Sequence, residues 1–389
     1  MNPFFAELPT SIFAEMSELA SRHDAINLGQ GFPDGEGPED VRRAAAEASI
    51  SGYNQYAPMR GMPALREAIA KHYAHHQALE IDPEREILVT AGATEALAST
   101  ILAGVAEGDE VILLQPAYDA YAPLIRRAGG TPVFVTLEPP DWRVTAELLE
   151  SAVTDRTSAI VVNSPLNPAA AMLGDGELAL LARFCIEHDL IAICDEVWEH
   201  IAFDGRAHRS LITEPGMRER AVKIGSAGKI FSLTGWKTGW AIADPSLIEV
   251  IAKAHQYLTF ATPPNLQNAV AYGLGKDDAY FTGMRADYQA SRDRLAKRLD
   301  EAGFAVLPTE ATYFLSVDLA RSGVAMSDRE FCLAAPEQAG VAAIPVSAFY
   351  EADPVDTVIR LCFAKADDIL DEAAERLGRF RQRLVGENG

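Results

Sequence analysis

Cysteine is scarce in this chain: Cys185, Cys194, Cys332 and Cys362 are the only four among 389 residues. None sits at a paired spacing, which argues against a disulfide framework and against a structural zinc site. Basic residues are also few, 34 Lys and Arg against 56 Asp and Glu, for a net charge of −22. Such a surface repels phosphate backbones and anionic lipid, so neither nucleic acid nor membrane is expected as a partner. No run approaches the roughly 18 apolar residues that a membrane helix needs. The N-terminal stretch sets Glu7, Glu15, Glu18 and Asp24 against a single Arg22, unlike the basic start and apolar core of a secretory signal. Repeats, low-complexity tracts and long blocks of like charge are missing as well. A soluble, globular, cytoplasmic enzyme is the expectation.

With 48% hydrophobic residues the chain has ample core for two or three domains. Short apolar runs recur at 86–90 (EILVT), 110–114, 133–137, 158–162, 191–194 and 222–225, each followed by a loop or a helical pattern. Continuous rather than alternating hydrophobicity suits strands covered on both faces, hence an α/β fold with a mostly parallel sheet between helices. From about Tyr288 the pattern changes to a charged helix (288–302), mixed strands near 312–318 and 358–364, and a closing helix (366–384), which reads as a smaller α+β domain. The expected organisation is an arm (1–45) joining the small domain, a large domain (46–287) and a small C-terminal domain (288–389).

In open α/β sheets ligands bind beyond the carboxyl ends of the strands. The residues just after the expected strands are Gly92-Ala93-Thr94, Pro116-Ala117-Tyr118, Asn163 to Pro168 (NSPLNP), Asp195-Glu196-Val197-Trp198 and Ser226-Ala227-Gly228-Lys229. A small-residue turn opening a helix is a phosphate seat, because it presents backbone N–H groups and a positive dipole end. One ligand with a phosphate, a flat ring, a ring nitrogen that wants an acid and an aldehyde that wants a lysine would use all these groups. Pyridoxal 5′-phosphate is that ligand.

The segment 225–240 (GSAGKIFSLTGWKTGW) resembles the lysine signature of the class I pyridoxal-phosphate aminotransferases. NLGQGFPD, TAGATEAL, NSPLNP, DEVWEH, TYFL, AIPVSAFY and IRLCFAK follow the family's order across nearly the whole chain, most similar to bacterial methionine aminotransferases and kynurenine–oxoglutarate transaminases. The resemblance implies a fold-type-I transferase with a seven-stranded sheet, acting as a homodimer. It implies that Lys229 is the covalent attachment point of the cofactor, that Asp195 pairs with the pyridine nitrogen, and that Asn167 bonds the ring's phenolic oxygen. Tyr118 would stack on the ring, while Ala93, Thr94, Ser226 and Lys237 hold the phosphate and Tyr56 reaches the neighbouring subunit's phosphate. Arg360, helped by the Gly31 backbone, would clamp the substrate α-carboxylate. Trp198 stands where the family usually has Tyr, and an indole N–H can donate a hydrogen bond but cannot accept one or ionise. Ala169-Ala170 replaces a frequent Thr-Gly, with little consequence expected.

The chemistry agrees with these assignments. A lysine must be neutral to form its bond, and a cationic neighbour such as Lys237 lowers its pKa. Arg suits a carboxylate because its planar fork binds two oxygens at once. Other candidates read as structural: His72, His75 and His76 as a solvated helical face, Asp277-Asp278 as a loop, Cys194 as a small buried hydrophobe, and no residue as a metal ligand. The expected activity is a ping-pong aminotransferase moving nitrogen from an L-amino acid to a 2-oxo acid. A β-lyase using the same carbanion, and a catalytically dead regulatory protein, are the alternatives. The stretch 255–264 (HQYLTFATPP) offers Tyr257 and Phe260 and no Arg, while Phe13 and Phe32 lie in the arm and in GQGFPD. These rings favour methionine, aromatic amino acids or glutamine over aspartate.

Overall fold

The computed structural model describes Met1 and residues 3–386. Its larger sheet has seven strands, β1 (Ile87–Thr90), β2 (Glu110–Gln115), β3 (Thr131–Thr136), β4 (Thr157–Asn163), β5 (Ile191–Asp195), β6 (Ala221–Ser226) and β7 (Gly239–Ile242). They lie in the order β1-β7-β6-β5-β4-β2-β3, with β7 antiparallel to both neighbours and every other pairing parallel. Along each strand, alternate side chains enter opposite cores, as the two-residue period of a strand requires. Ile112, Leu114, Ile160 and Val162 join one core with Leu65, Ile69 and Tyr73 of the helix Pro63–Gln77. Val111, Leu113, Ala159 and Val161 join the other, with Ala96, Leu97 and Ile101 of the helix Ala93–Gly104.

A second, antiparallel sheet is built from β8 (Ala305–Val306), β9 (Phe314–Asp318), β10 (Ile344–Pro345) and β11 (Val358–Cys362) in the order β10-β11-β9-β8. Its core draws Leu370, Leu377 and Phe380 from the closing helix Asp367–Gly386, and Ile12, Met16 and Leu28 from the N-terminal segment. Ile26–Asn27 pairs in parallel with Val341–Ala342, and the Cys362 amide donates to the Leu28 carbonyl at 2.7 Å, so the segment is bound to this second sheet. The charged helix read from Tyr288 begins earlier, at Asp278, and runs to Glu301. Of the pair read as a loop, Asp278 opens that helix, while Asp277 stands just before it and caps it, its side chain accepting from the Tyr280 amide. No helix among the described residues is long and apolar enough to cross a membrane. All four cysteines are free and buried.

Candidate functional site

The carboxyl ends of β4, β5 and β6 and the N-terminus of Ala93–Gly104 face β11 and the N-terminal segment across a cleft of about 350 Å³. Asn163 and Asp195 are register partners at the ends of β4 and β5. The Asn163 side chain donates to the Asp195 carbonyl (2.9 Å) and accepts from the Asn167 amide (2.9 Å). Asn167 Oδ1 accepts from Arg360 Nη1 at 2.8 Å, and Arg360 Nη2 donates to the Gly29 carbonyl at 3.0 Å. One chain of hydrogen bonds thereby links Asp195 on the large sheet to Arg360 on the small one.

Arg360 is fully buried and its guanidinium lies 3.8 Å over the Phe314 ring. Desolvation lowers its pKa to about 10, so it stays charged at neutral pH. Its partners are neutral oxygens, Nε has none, and no salt bridge reaches it among the described residues. A buried cation without a salt bridge is costly; Asp119 acts on it only through space, and an incoming carboxylate would offset that cost.

Asp195 is the complementary case. Its carboxylate accepts from the Tyr121 hydroxyl (2.7 Å) and has no salt bridge among the described residues, and burial raises its pKa. A cationic ring nitrogen beside it would oppose that shift and favour the carboxylate. Lys229 lies in the short helix Ala227–Ile230 directly after β6. Desolvation brings its amine down to about 8; Asp195 opposes that shift, and the positive charges of Arg360 and Lys237 add to it. The amine is 4.4 Å from the centre of the Trp198 ring and donates to the Tyr313 hydroxyl (3.0 Å) and the Gly31 carbonyl (3.3 Å).

The turn that opens the helix Ala93–Gly104 is equally definite. Gly92 caps Ala93–Gly104 with φ +79° and offers no side chain to the first amides. A Cβ on Gly92 would come within 3.4 Å of Lys237 Nζ, and one on Gly239 within 2.8 Å of the Ala93 nitrogen. Only glycine at both positions lets the turn, the neighbouring strand and a cation converge. Lys237 Nζ reaches Thr94 Oγ1 at 3.5 Å.

Ala93, Thr94, Tyr118, Asn167, Asp195, Trp198, Ser226, Lys229, Lys237, Gly31 and Arg360 all line this cleft. Tyr56 does not. It is 82% exposed, with its ring edge-on to Phe260 at 5.7 Å in a separate surface groove. Tyr257 is likewise on the surface, whereas Phe13 and Phe32 line the cleft. Asn163, Tyr121 and Tyr313 are site residues that sequence reasoning did not assign. Tyr121 opens the helix Tyr121–Ala128 three residues after Tyr118, and the two rings meet edge-on at 5.6 Å. His72 is not on a solvated face: it is buried, with Nε2 2.7 Å from His200 Nε2.

Residues 23–377 match the family Aminotransferase class I and II. The chain is 45% identical over 385 residues to a probable N-succinyldiaminopimelate aminotransferase (DapC) of Mycobacterium tuberculosis, covering 96% of this chain and 97% of that one. It is 43% identical over 372 residues to the methionine aminotransferase of Escherichia coli (95% and 96%), and 36% identical over 406 residues to human kynurenine–oxoglutarate transaminase 1 (96% of each). The solved structure of the M. tuberculosis N-succinyldiaminopimelate aminotransferase superposes with a TM-score of 0.94, covering 97% of this chain and 98% of that one. With its cleft and these likenesses together, the chain belongs to the class I and II aminotransferases and is a pyridoxal-phosphate-dependent enzyme.

Proposed function

We propose that this aminotransferase takes nitrogen from an L-amino acid with an apolar, thioether or aromatic side chain, methionine first, and passes it to a 2-oxo acid by a ping-pong sequence. The observation that carries this reading is the buried guanidinium of Arg360, without a salt bridge among the described residues, in the same cleft as the Lys229 amine. When bound, the cofactor supplies a ring that accepts the electrons left as the substrate's α-proton departs. Asp195, oriented by Tyr121, binds the ring nitrogen. Lys237, Ser226 and the amides of Ala93 and Thr94 bind the phosphate. Tyr118 covers the ring face, and Asn167, its oxygen already held by Arg360, donates through its nitrogen to the phenolic oxygen. Arg360 and the Gly31 segment take the α-carboxylate. Lys229, when free of the cofactor, would be the base that holds and moves the substrate's α-proton.

The side-chain preference rests on the lining. Phe13, Phe32, Leu97, Trp198 and Phe314 face the cleft, and its cations among the described residues are Lys229, Lys237 and Arg360, each with a task already. Lys365, which touches Gln30 of the lining at 3.1 Å, is paired with Asp34. A distal carboxylate would be desolvated without a partner, at a cost of several kcal/mol. The likeness to the M. tuberculosis enzyme supports a second reading, with N-succinyldiaminopimelate as donor. Comparing kcat/KM for methionine, phenylalanine, glutamine, aspartate and N-succinyldiaminopimelate decides between them. Methionine is expected to lead, and aspartate matching it would overturn the apolar-pocket reading. The working unit in this proposal is a homodimer in a reducing, cytoplasmic setting, with Tyr56 reaching a partner's phosphate. The exposed cluster of Tyr53, Tyr56 and Phe260 and the four free thiols support it.

A further inference from the structure

Tyr313 immediately precedes β9 and is buried. Its hydroxyl donates to the Gly31 carbonyl at 2.6 Å and accepts from Lys229 Nζ at 3.0 Å. Among the described residues it is the one side-chain hydrogen-bond partner of that amine. Its ring meets Trp198 edge-on at 4.4 Å between centres, and Lys229 Nζ lies 4.4 Å from the Trp198 ring and 5.3 Å from the Tyr313 ring. Trp198 offers the amine a π face but no lone pair. A phenol can do what neither the indole nor the carbonyl can, accepting from the amine while donating to the backbone of the N-terminal segment.

We propose that Tyr313 is the positioning residue of Lys229: its hydroxyl, anchored on the Gly31 carbonyl, holds the amine against Trp198 whenever the lysine is not attached to the cofactor. The inference rests on Lys229 being the attachment residue. Through Gly31 the same hydroxyl ties the lysine to the segment proposed to meet the substrate carboxylate, so that seating a substrate and placing the base are one event. The effect belongs to the proton-transfer step rather than to substrate affinity.

Tyr313→Phe removes the hydroxyl and keeps the buried ring with its packing. In the cofactor-free protein, reductive methylation with formaldehyde and cyanoborohydride, read by peptide mass mapping, compares Lys229 with Lys237 in the same cleft. Loss of an acceptor for a charged donor frees and deprotonates the amine, so Lys229 is expected to react at least about threefold faster in the variant while Lys237 is unchanged. In the loaded enzyme kcat is expected to fall about tenfold or more, with KM within about threefold and a larger α-deuterium isotope effect. An unchanged Lys229-to-Lys237 ratio overturns the proposal, even if turnover falls. Borohydride reduction of the loaded wild type marking a lysine other than Lys229 would instead overturn the site assignment beneath it.

Discussion

Arg360 keeps a full charge where water does not reach, held between the Phe314 face and two neutral oxygens. That cost is tolerable only if an anion arrives during turnover. Arg360→Lys keeps the charge but loses the fork and the ring contact, so kcat/KM for the amino acid should fall by about two powers of ten, mostly through KM; steady-state kinetics with methionine reads it. Asp195→Asn should slow the α-proton step by at least about a hundredfold in stopped-flow absorbance. Tyr121→Phe, which removes only the donor to Asp195, should cost less. Lys229 makes a prediction with a pH sign. Its folded pKa of about 8 lies below the ordinary 10.5, so the cofactor-free fold bears the whole cost of a partly desolvated ammonium below pH 8 and sheds it as pH rises towards 10.5. Lys229→Met should therefore raise the melting temperature of the cofactor-free protein at pH 7, with the gain vanishing near pH 10.5. Ala170 shows how a departure from the family is absorbed. It sits at φ +59°, buried, where glycine would be unstrained. Relief of roughly 1–2 kcal/mol on Ala170→Gly is offset by about 0.8 for the lost methyl and about 0.5–1 for glycine's chain entropy, so the fold tolerates either.

The turn after β5 that carries Asp195 and Trp198 is fixed from behind by an ionic cluster. Lys223 on β6 is fully buried and pairs with Glu196 and, at 2.7 Å, with Glu199. Glu196 also accepts from Ser210 (2.8 Å) and lies 2.9 Å from His208, while Glu199 accepts from Tyr73 and Gln77, each at 2.6 Å. Desolvation alone would raise the Glu196 pKa, but Lys223 and His208 overcome it and hold the carboxyl at about 2. The stability this contributes is complete above pH 4.5 and is lost as pH falls towards 2. Lys223→Met leaves Glu199 without a cation and Glu196 with His208 alone, and should cost about 3–5 kcal/mol in urea unfolding at pH 7. Nothing in the sequence marks Lys223 as buried, because a single lysine within an apolar strand reads the same on either side of a sheet. The strands themselves were legible, since β1, β2, β4, β5 and β6 are covered on both faces and read as continuous apolar runs, while the edge strand β3 is buried only at Pro132 and Val135. Apolar runs did not reveal β7. Its four residues are Gly239, Trp240, Ala241 and Ile242, and its antiparallel place between β1 and β6 depends on glycine packing that no periodicity records.

At the scale of the whole molecule, two sheets and an N-terminal segment meet around one cleft. Its strand-end residues were readable because they sit at fixed offsets from recognisable strands. The tie between Tyr313, Gly31 and Lys229 was not, for it joins parts of the chain 282 and 84 residues apart. Tyr56 belongs to the proposed dimer: light scattering should report twice the 42.0 kDa chain mass, and Tyr56→Phe should weaken cofactor binding about tenfold by equilibrium dialysis. Elimination remains the chemistry that the same cleft could support, and only stoichiometry separates it from transfer. The direct measurement mixes the loaded enzyme with S-methylcysteine, a thioether amino acid whose sulfur sits on the β-carbon, and no acceptor, then counts products per subunit. One equivalent of 2-oxo acid, no ammonia and no further turnover until a 2-oxo acid is added is the predicted result. Ammonia and thiol released continuously without an acceptor would contradict it.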